Sequence, residues 1–160
     1  MARVNAEVYQ ATLDVCDRPD PRSEYEAKFS LSHCIAAALA DGRVGFDSFD
    51  SNSRGRLAPL RKRISAVVAE PFRSAYPDDY WGARVAVTTG DGQTLAVERR
   101  GCKGDPESAL SRPEMIDKAR RLMLQGGLDP RAADGLVTAI LELPSGRADW
   151  PKLHTVVPEV

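Results

Sequence analysis

The sequence predicts an α+β fold, a two-layer sandwich in which an antiparallel or mixed sheet of about four strands packs against helices. Three observations predict it. Segments of apolar–polar alternation and segments of helical periodicity both occur, so neither class of element fills the chain. The two kinds do not follow one another in regular βαβ alternation, which sets aside a doubly wound parallel sheet. The chain has 160 residues, 42% of them hydrophobic and 28% charged. That length suits one domain with a core needing no covalent staples, so 1–160 is read as a single domain.

The elements follow in order. From Arg3 to Tyr9, Val4, Ala6 and Val8 alternate with polar neighbours, the pattern of a half-buried strand. A weak helical pattern runs on to Cys16, and Pro19 and Pro21 then break regular structure. A helix is expected from about Ser30 to Asp41, with Gly42 just past its end, where glycine is favoured. Gly45 to Gly55 reads as a loop. Asp50, Asn52 and Gly55 fall at positions of a calcium-binding loop, but Arg54 and Arg61 stand where two ligands are required, so the site fails. A short helix is expected at Leu57 to Arg63 and a strand at Ile64 to Ala69. Ala83 to Thr89 and Gln93 to Arg99 alternate on either side of Gly90-Asp91-Gly92, which predicts an antiparallel hairpin. Ser111 and Glu114 have the spacing of a capping box, followed by Met115, Ile116, Ala119, Leu122 and Met123 on one face. From about Pro130 a second helix shows Ala133, Leu136, Val137, Ile140 and Leu141 in the same rhythm.

Composition excludes several functions. The net charge is −1, so nothing global favours nucleic acid or an anionic membrane. The triplet Arg61-Lys62-Arg63 reads as the solvated face of a helix. Cys16, Cys34 and Cys102 are widely spaced and form no CxxC pair, so neither a disulfide framework nor a zinc site is expected. No apolar run approaches the ~20 residues of a membrane span, and MARVNAEVYQ lacks a signal peptide's apolar core. The expected location is the cytoplasm.

The helix from Ser30 carries the chemistry. Its apolar run, Cys34 to Ala40, goes all round the helix, so it needs cover on more than one side, from another helix of the domain or from a partner. Before that run stand Lys28, Ser30, Ser32 and His33. Ser30 is a good N-cap, and the first-turn N–H groups have no partner inside the helix. With the helix dipole, a lysine and two side-chain donors, they form a candidate cradle for a carboxylate or phosphate. The alternative is an ordinary capped helix with an exposed lysine and a hydrogen-bonded histidine.

The run Ala27-Lys28-Phe29-Ser30-Leu31-Ser32-His33-Cys34, with its alanines and Asp41-Gly42, resembles the hallmark of the MmgE/PrpD family. That family includes 2-methylcitrate dehydratase, cis-aconitate decarboxylase and iminodisuccinate epimerase. The hairpin turn and the following Gly101-Cys102-Lys103-Gly104-Asp105-Pro106-Glu107 are similar to the family's glycine–proline loop. The likeness covers roughly residues 3 to 143 and concerns only the smaller, C-terminal α+β domain. The large helical domain, whose histidine and aspartate complete the family's cleft, has no counterpart in these residues, and the tail Ser145 to Val160 matches nothing.

The resemblance implies half of a lyase site for a di- or tricarboxylate, needing no metal and no cofactor. Lys28, Ser30, Ser32 and Lys103 would bind the substrate, with Lys28 and His33 in catalytic roles. Dehydration, decarboxylation and epimerisation share enolate-like charge, which a lysine or a helix N-terminus stabilises. The isolated chain is expected to be inactive or nearly so, and to pair with a helical domain or with itself. The competing expectation is a non-catalytic α+β binding or oligomerisation module.

Overall fold

A computed structural model describes residues 2–143. The chain divides into two compact units, one running through Ser108 and one beginning at Ala109.

The first unit holds a four-stranded mixed sheet. Strand β1 (Arg3–Val8) lies at its centre with β2 (Ile64–Val68) parallel on one side and β3 (Ala83–Thr88) antiparallel on the other. Strand β4 (Thr94–Arg99) pairs antiparallel with β3, giving the order β2-β1-β3-β4. The expected hairpin is therefore present, with Gly92 at φ 89° in its turn, a conformation that suits glycine. Register fixes which side chains share a face. Val4 pairs with Ile64 and Val87, and Ala6 with Ala66 and Val85. Leu95 and Val97 join the same face through Val87 and Val85. Along β1 this face is buried, with Val4, Ala6 and Val8 no more than 1% exposed. The opposite face carries Asn5 and the Glu7–Arg84 ion pair.

Helices cover the apolar face over β1 and β2, while Leu95 and Val97 on β4 remain exposed. Helix α1 (Gln10–Cys16) follows β1, and α2 (Glu24–Lys28) leads into α3 (Leu31–Asp41). Helix α3 starts and stops where its sequence dictates: Ser30 caps it, and Gly42 at φ 70° closes it. It packs on β2 and on α4 (Ser51–Arg61), which cover its apolar run at Ala36 and Ala37 and leave Ala38, Leu39 and Ala40 exposed. Ala36, Ala37 and Leu57 form the buried cluster between α3 and α4, with Leu60 and Ile64 against it. Alanines let the two helices approach closely, and burying Leu57 contributes about 2 kcal/mol. Leu39 remains on an exposed face of α3.

Two expectations need correction. Gly45 to Gly55 is not a loop throughout, because a 3-10 turn spans Phe46–Phe49 and α4 starts at Ser51, six residues before Leu57. Asp50 is the reason: its Oδ1 accepts the Ser53 N–H at 2.7 Å and opens the helix there. Helices α2 and α5 (Phe72–Ala75) went unread since five and four residues are too few to show a helical period.

The second unit is a helical hairpin. In α6 (Arg112–Gln125) the capping box forms as expected, Ser111 Oγ accepting the Glu114 N–H and Glu114 Oε2 accepting the Ser111 N–H. Asp129 caps α7 (Pro130–Glu142). Met115, Ile116, Ala119 and Met123 face Val137, Ile140 and Leu141 across one apolar groove. An exposed Arg120–Asp134 pair ties the two helices. The tail from Ser145 lies outside the described residues. Among those described, no helix is long and apolar enough to cross a membrane.

Candidate functional site

The junction of α2 and α3 brings four of the expected residues together. Ser23 caps α2, whose last residue is Lys28, and Phe29 and Ser30 turn the chain into α3. Lys28 is exposed and Ser32 half-buried. Ser30 and His33 have no exposed surface at all.

Ser30 is fully occupied. Its Oγ accepts the His33 N–H at 3.2 Å and donates to the Arg18 carbonyl at 2.5 Å, with the Ser32 Oγ 3.3 Å away. The cap expected from sequence is therefore real, and its hydroxyl proton is already used.

His33 is held from both sides of its ring. Nε2 lies 2.7 Å from the Ser48 carbonyl, an acceptor, so Nε2 carries the proton and Nδ1 is the basic nitrogen. Nδ1 in turn receives the Arg61 guanidinium at 3.4 Å. Burial lowers the histidine's affinity for a further proton below the usual range. The charges of Arg61 and Arg54 lower it more, and the Ser48 carbonyl offsets part of this. In this arrangement His33 has no free nitrogen with which to take a proton from an outside molecule. Its role here is to join α3 to the 46–49 turn and to α4.

A pH dependence follows. The unfolded chain binds a proton at His33 near the ordinary value of 6.5, while the native state resists it. Stability is thus complete above pH 6.5 and falls as the pH drops from there toward the lowered native value. Thermal unfolding followed by circular dichroism between pH 8 and 5, as round values, should show this loss, and His33→Gln should flatten it. An unchanged slope in the variant would rule His33 out as the source. The exposed carboxylates of Asp41, Asp47 and Asp134, held below 3.8 by Arg56, Arg43 and Arg120, act only in a lower window.

Arg61 was misread as solvated. It is 6% exposed and its guanidinium makes four contacts: Pro19 carbonyl, Arg54 carbonyl, His33 Nδ1 and the Asp20 carboxylate. A signal was available, since Ser53, Leu57 and Arg61 recur every fourth residue and form the buried stripe of α4. Lys62 and Arg63 do face outward.

Lys103 is not brought to this junction. It lies beyond β4, in the loop whose Gly101, Asp105 and Glu107 line a cleft of about 700 Å³ with Tyr80, Trp81 and Arg100. Strands β1 and β3 separate β4 from the β2 on which α3 packs, a span of roughly 14 Å. Among the described residues no group of three His, Cys, Asp or Glu is placed to hold a metal ion.

Outside the bonds of His33 and Arg61 stand the exposed Lys28, the half-buried Ser32 hydroxyl and the Leu31 and Ser32 amides, since the His33 N–H is taken by Ser30 Oγ. A lysine, a hydroxyl and helix N-terminal amides are the donor types that suit an anion. The family model described as the MmgE/PrpD C-terminal domain matches residues 1–142. No curated protein matches the sequence.

Proposed function

The chain belongs to the MmgE/PrpD family, of which it carries the C-terminal domain, and we propose that it supplies the carboxylate-binding half of a lyase site. The observation that carries this reading is the family match across a junction where Lys28, Ser30 and Ser32 stand at the start of α3. Lys28 and Ser32 hold one carboxylate of a di- or tricarboxylate, and the first-turn amides and helix dipole share its charge. When a proton leaves the carbon next to that carboxylate, enolate-like charge develops on its oxygens, and the same donors stabilise it. The proton acceptor comes from a helical domain across the cleft. His33 serves this site from beneath by fixing the first turn of α3, and Lys103 reaches substrate only if its loop approaches in the assembled protein.

A second reading, a non-catalytic α+β binding or oligomerisation module, draws on the internal occupation of Ser30 and His33.

Titration with citrate separates the two readings. Amide shifts confined to Ser30–His33 are expected, with millimolar or weaker affinity, because exposed charge pairs contribute only about 0–1 kcal/mol each. Lys28→Ala should abolish them. An absence of shifts up to high millimolar citrate would leave the binding-module reading in possession.

A further inference from the structure

Resting on the reading of the α3 start as a carboxylate site, we propose that the segment 17–21 is a strap that closes this site by imitating its ligand. Three acceptors of the strap meet donors fixed in the fold. The Arg18 carbonyl takes the Ser30 hydroxyl proton at 2.5 Å. The Pro19 carbonyl faces Arg61 Nε at 3.3 Å, and the Asp20 carboxylate faces Arg61 Nη2 at 3.2 Å. Oxygen atoms on a serine hydroxyl and a guanidinium are what a polycarboxylate would itself present.

The donors are buried, whereas the strap is exposed from Asp17 to Asp20 and buried only at Pro21, its fixed end. Ser30 is 0% exposed and the Arg61 side chain 5%, whereas the Asp20 side chain is 87% exposed. Ser30 has a single hydroxyl proton, so a ligand carboxylate can accept it only after the Arg18 carbonyl has let go. Displacing the strap would also uncover the Arg61 guanidinium, a cation able to grip a second carboxylate in a two-point fork. The closed strap therefore lowers apparent affinity by the fraction of molecules in which it is open. The strap is short, lying between the end of α1 at Cys16 and the Ser23 cap of α2, and Pro19 and Pro21 restrict it. With Pro21 buried at one end, opening would move residues 17–20 together as a stiff flap.

The test is citrate titration of the full chain, read by amide shifts, in the parent and three variants. Asp20→Asn removes the carboxylate on Arg61, Pro19→Gly loosens the strap without changing charge, and Glu24→Gln removes a nearby exposed carboxylate as a control. Asp20→Asn and Pro19→Gly are expected to bind citrate at least about threefold more tightly than the parent, with shifts spreading to Arg18, Asp20 and Arg61 Nε–H. Glu24→Gln should stay within about twofold. Equal affinity in all four proteins would overturn the strap while leaving the site. Tightening in both charge variants but not in Pro19→Gly would reduce the effect to net charge and overturn it too. No binding in any of the four removes the site itself, and the strap with it.

Discussion

Purified alone, the 160-residue chain is expected to turn over 2-methylcitrate, citrate and cis-aconitate no faster than buffer. The reason is the state of its bases. Removing a proton beside a carboxylate needs a group within hydrogen-bond reach whose basic atom is free. His33 is the histidine expected in a catalytic role, yet its Nδ1 receives Arg61 and its Nε2–H donates to the Ser48 carbonyl. Lys28 and Ser32 can orient and stabilise, but orientation without a base leaves the chemical step unaided. A missing general base costs about 10²–10⁴ in rate, and loss of the second wall of the cleft removes positioning and water exclusion besides. Supplying a family helical domain, on the same polypeptide or as a separate protein, should therefore raise the rate by at least about 10⁴. The assay follows the ultraviolet absorbance of the conjugated alkene. Robust turnover by these residues alone would overturn the half-site reading, and loss of that turnover in His33→Gln would make His33 the base after all.

Arg61→Ala should destabilise the first unit strongly. It takes the donor from the part-buried Pro19 and Arg54 carbonyls and from the buried Nδ1 of His33. Leaving a buried acceptor without its donor costs about 1–3 kcal/mol, and the lost packing of the arginine stem adds to it. For a unit of this size that lowers Tm by roughly 10 °C or more. The neighbouring Lys62→Ala should shift Tm by only about 2 °C or less, since its side chain is solvated. Asp20→Asn should also do little to Tm, because its side chain is screened by solvent. Calorimetry of the three variants decides the matter. Comparable, small shifts for Arg61→Ala and Lys62→Ala would mean that the guanidinium is not the anchor its contacts describe.

The triplet Arg61-Lys62-Arg63 shows why one reading of the sequence went astray. Charge runs usually mark a solvated face, and two of the three residues obey. The first obeys the helix period instead, falling on the inward stripe with Ser53 and Leu57. Period outranks charge when a buried charge can find acceptors, and the carbonyls of Pro19 and Arg54 are acceptors distant from it in sequence or contributed by the helix's own backbone. No local pattern announces Pro19 as a partner of Arg61. The start of β2 at Ile64, by contrast, is legible from its β-branched residues, although α4 ends at Arg61, two residues before the expected Arg63.

Local chemistry by itself determined much of this protein. The alternation of Val4, Ala6 and Val8, the Gly90-Asp91-Gly92 turn, the Ser30 and Ser111 caps and the Gly42 stop each act within a few residues, so each was legible before any coordinates. The family signature at Lys28-Phe29-Ser30 is equally local. Tertiary structure alone decided the parallel pairing of β1 with β2, which joins residues some sixty positions apart. It also decided the fate of the candidate site. Whether Ser30 and His33 face a ligand or the protein depends on what the 17–21 segment, the Ser48 carbonyl and Arg61 do with their hydrogen-bonding groups. A buried donor must find an acceptor wherever the fold provides one. The fold provided one from the chain itself, and so Ser30 and His33 are bonded from within while Lys28 and Ser32 stay at the surface.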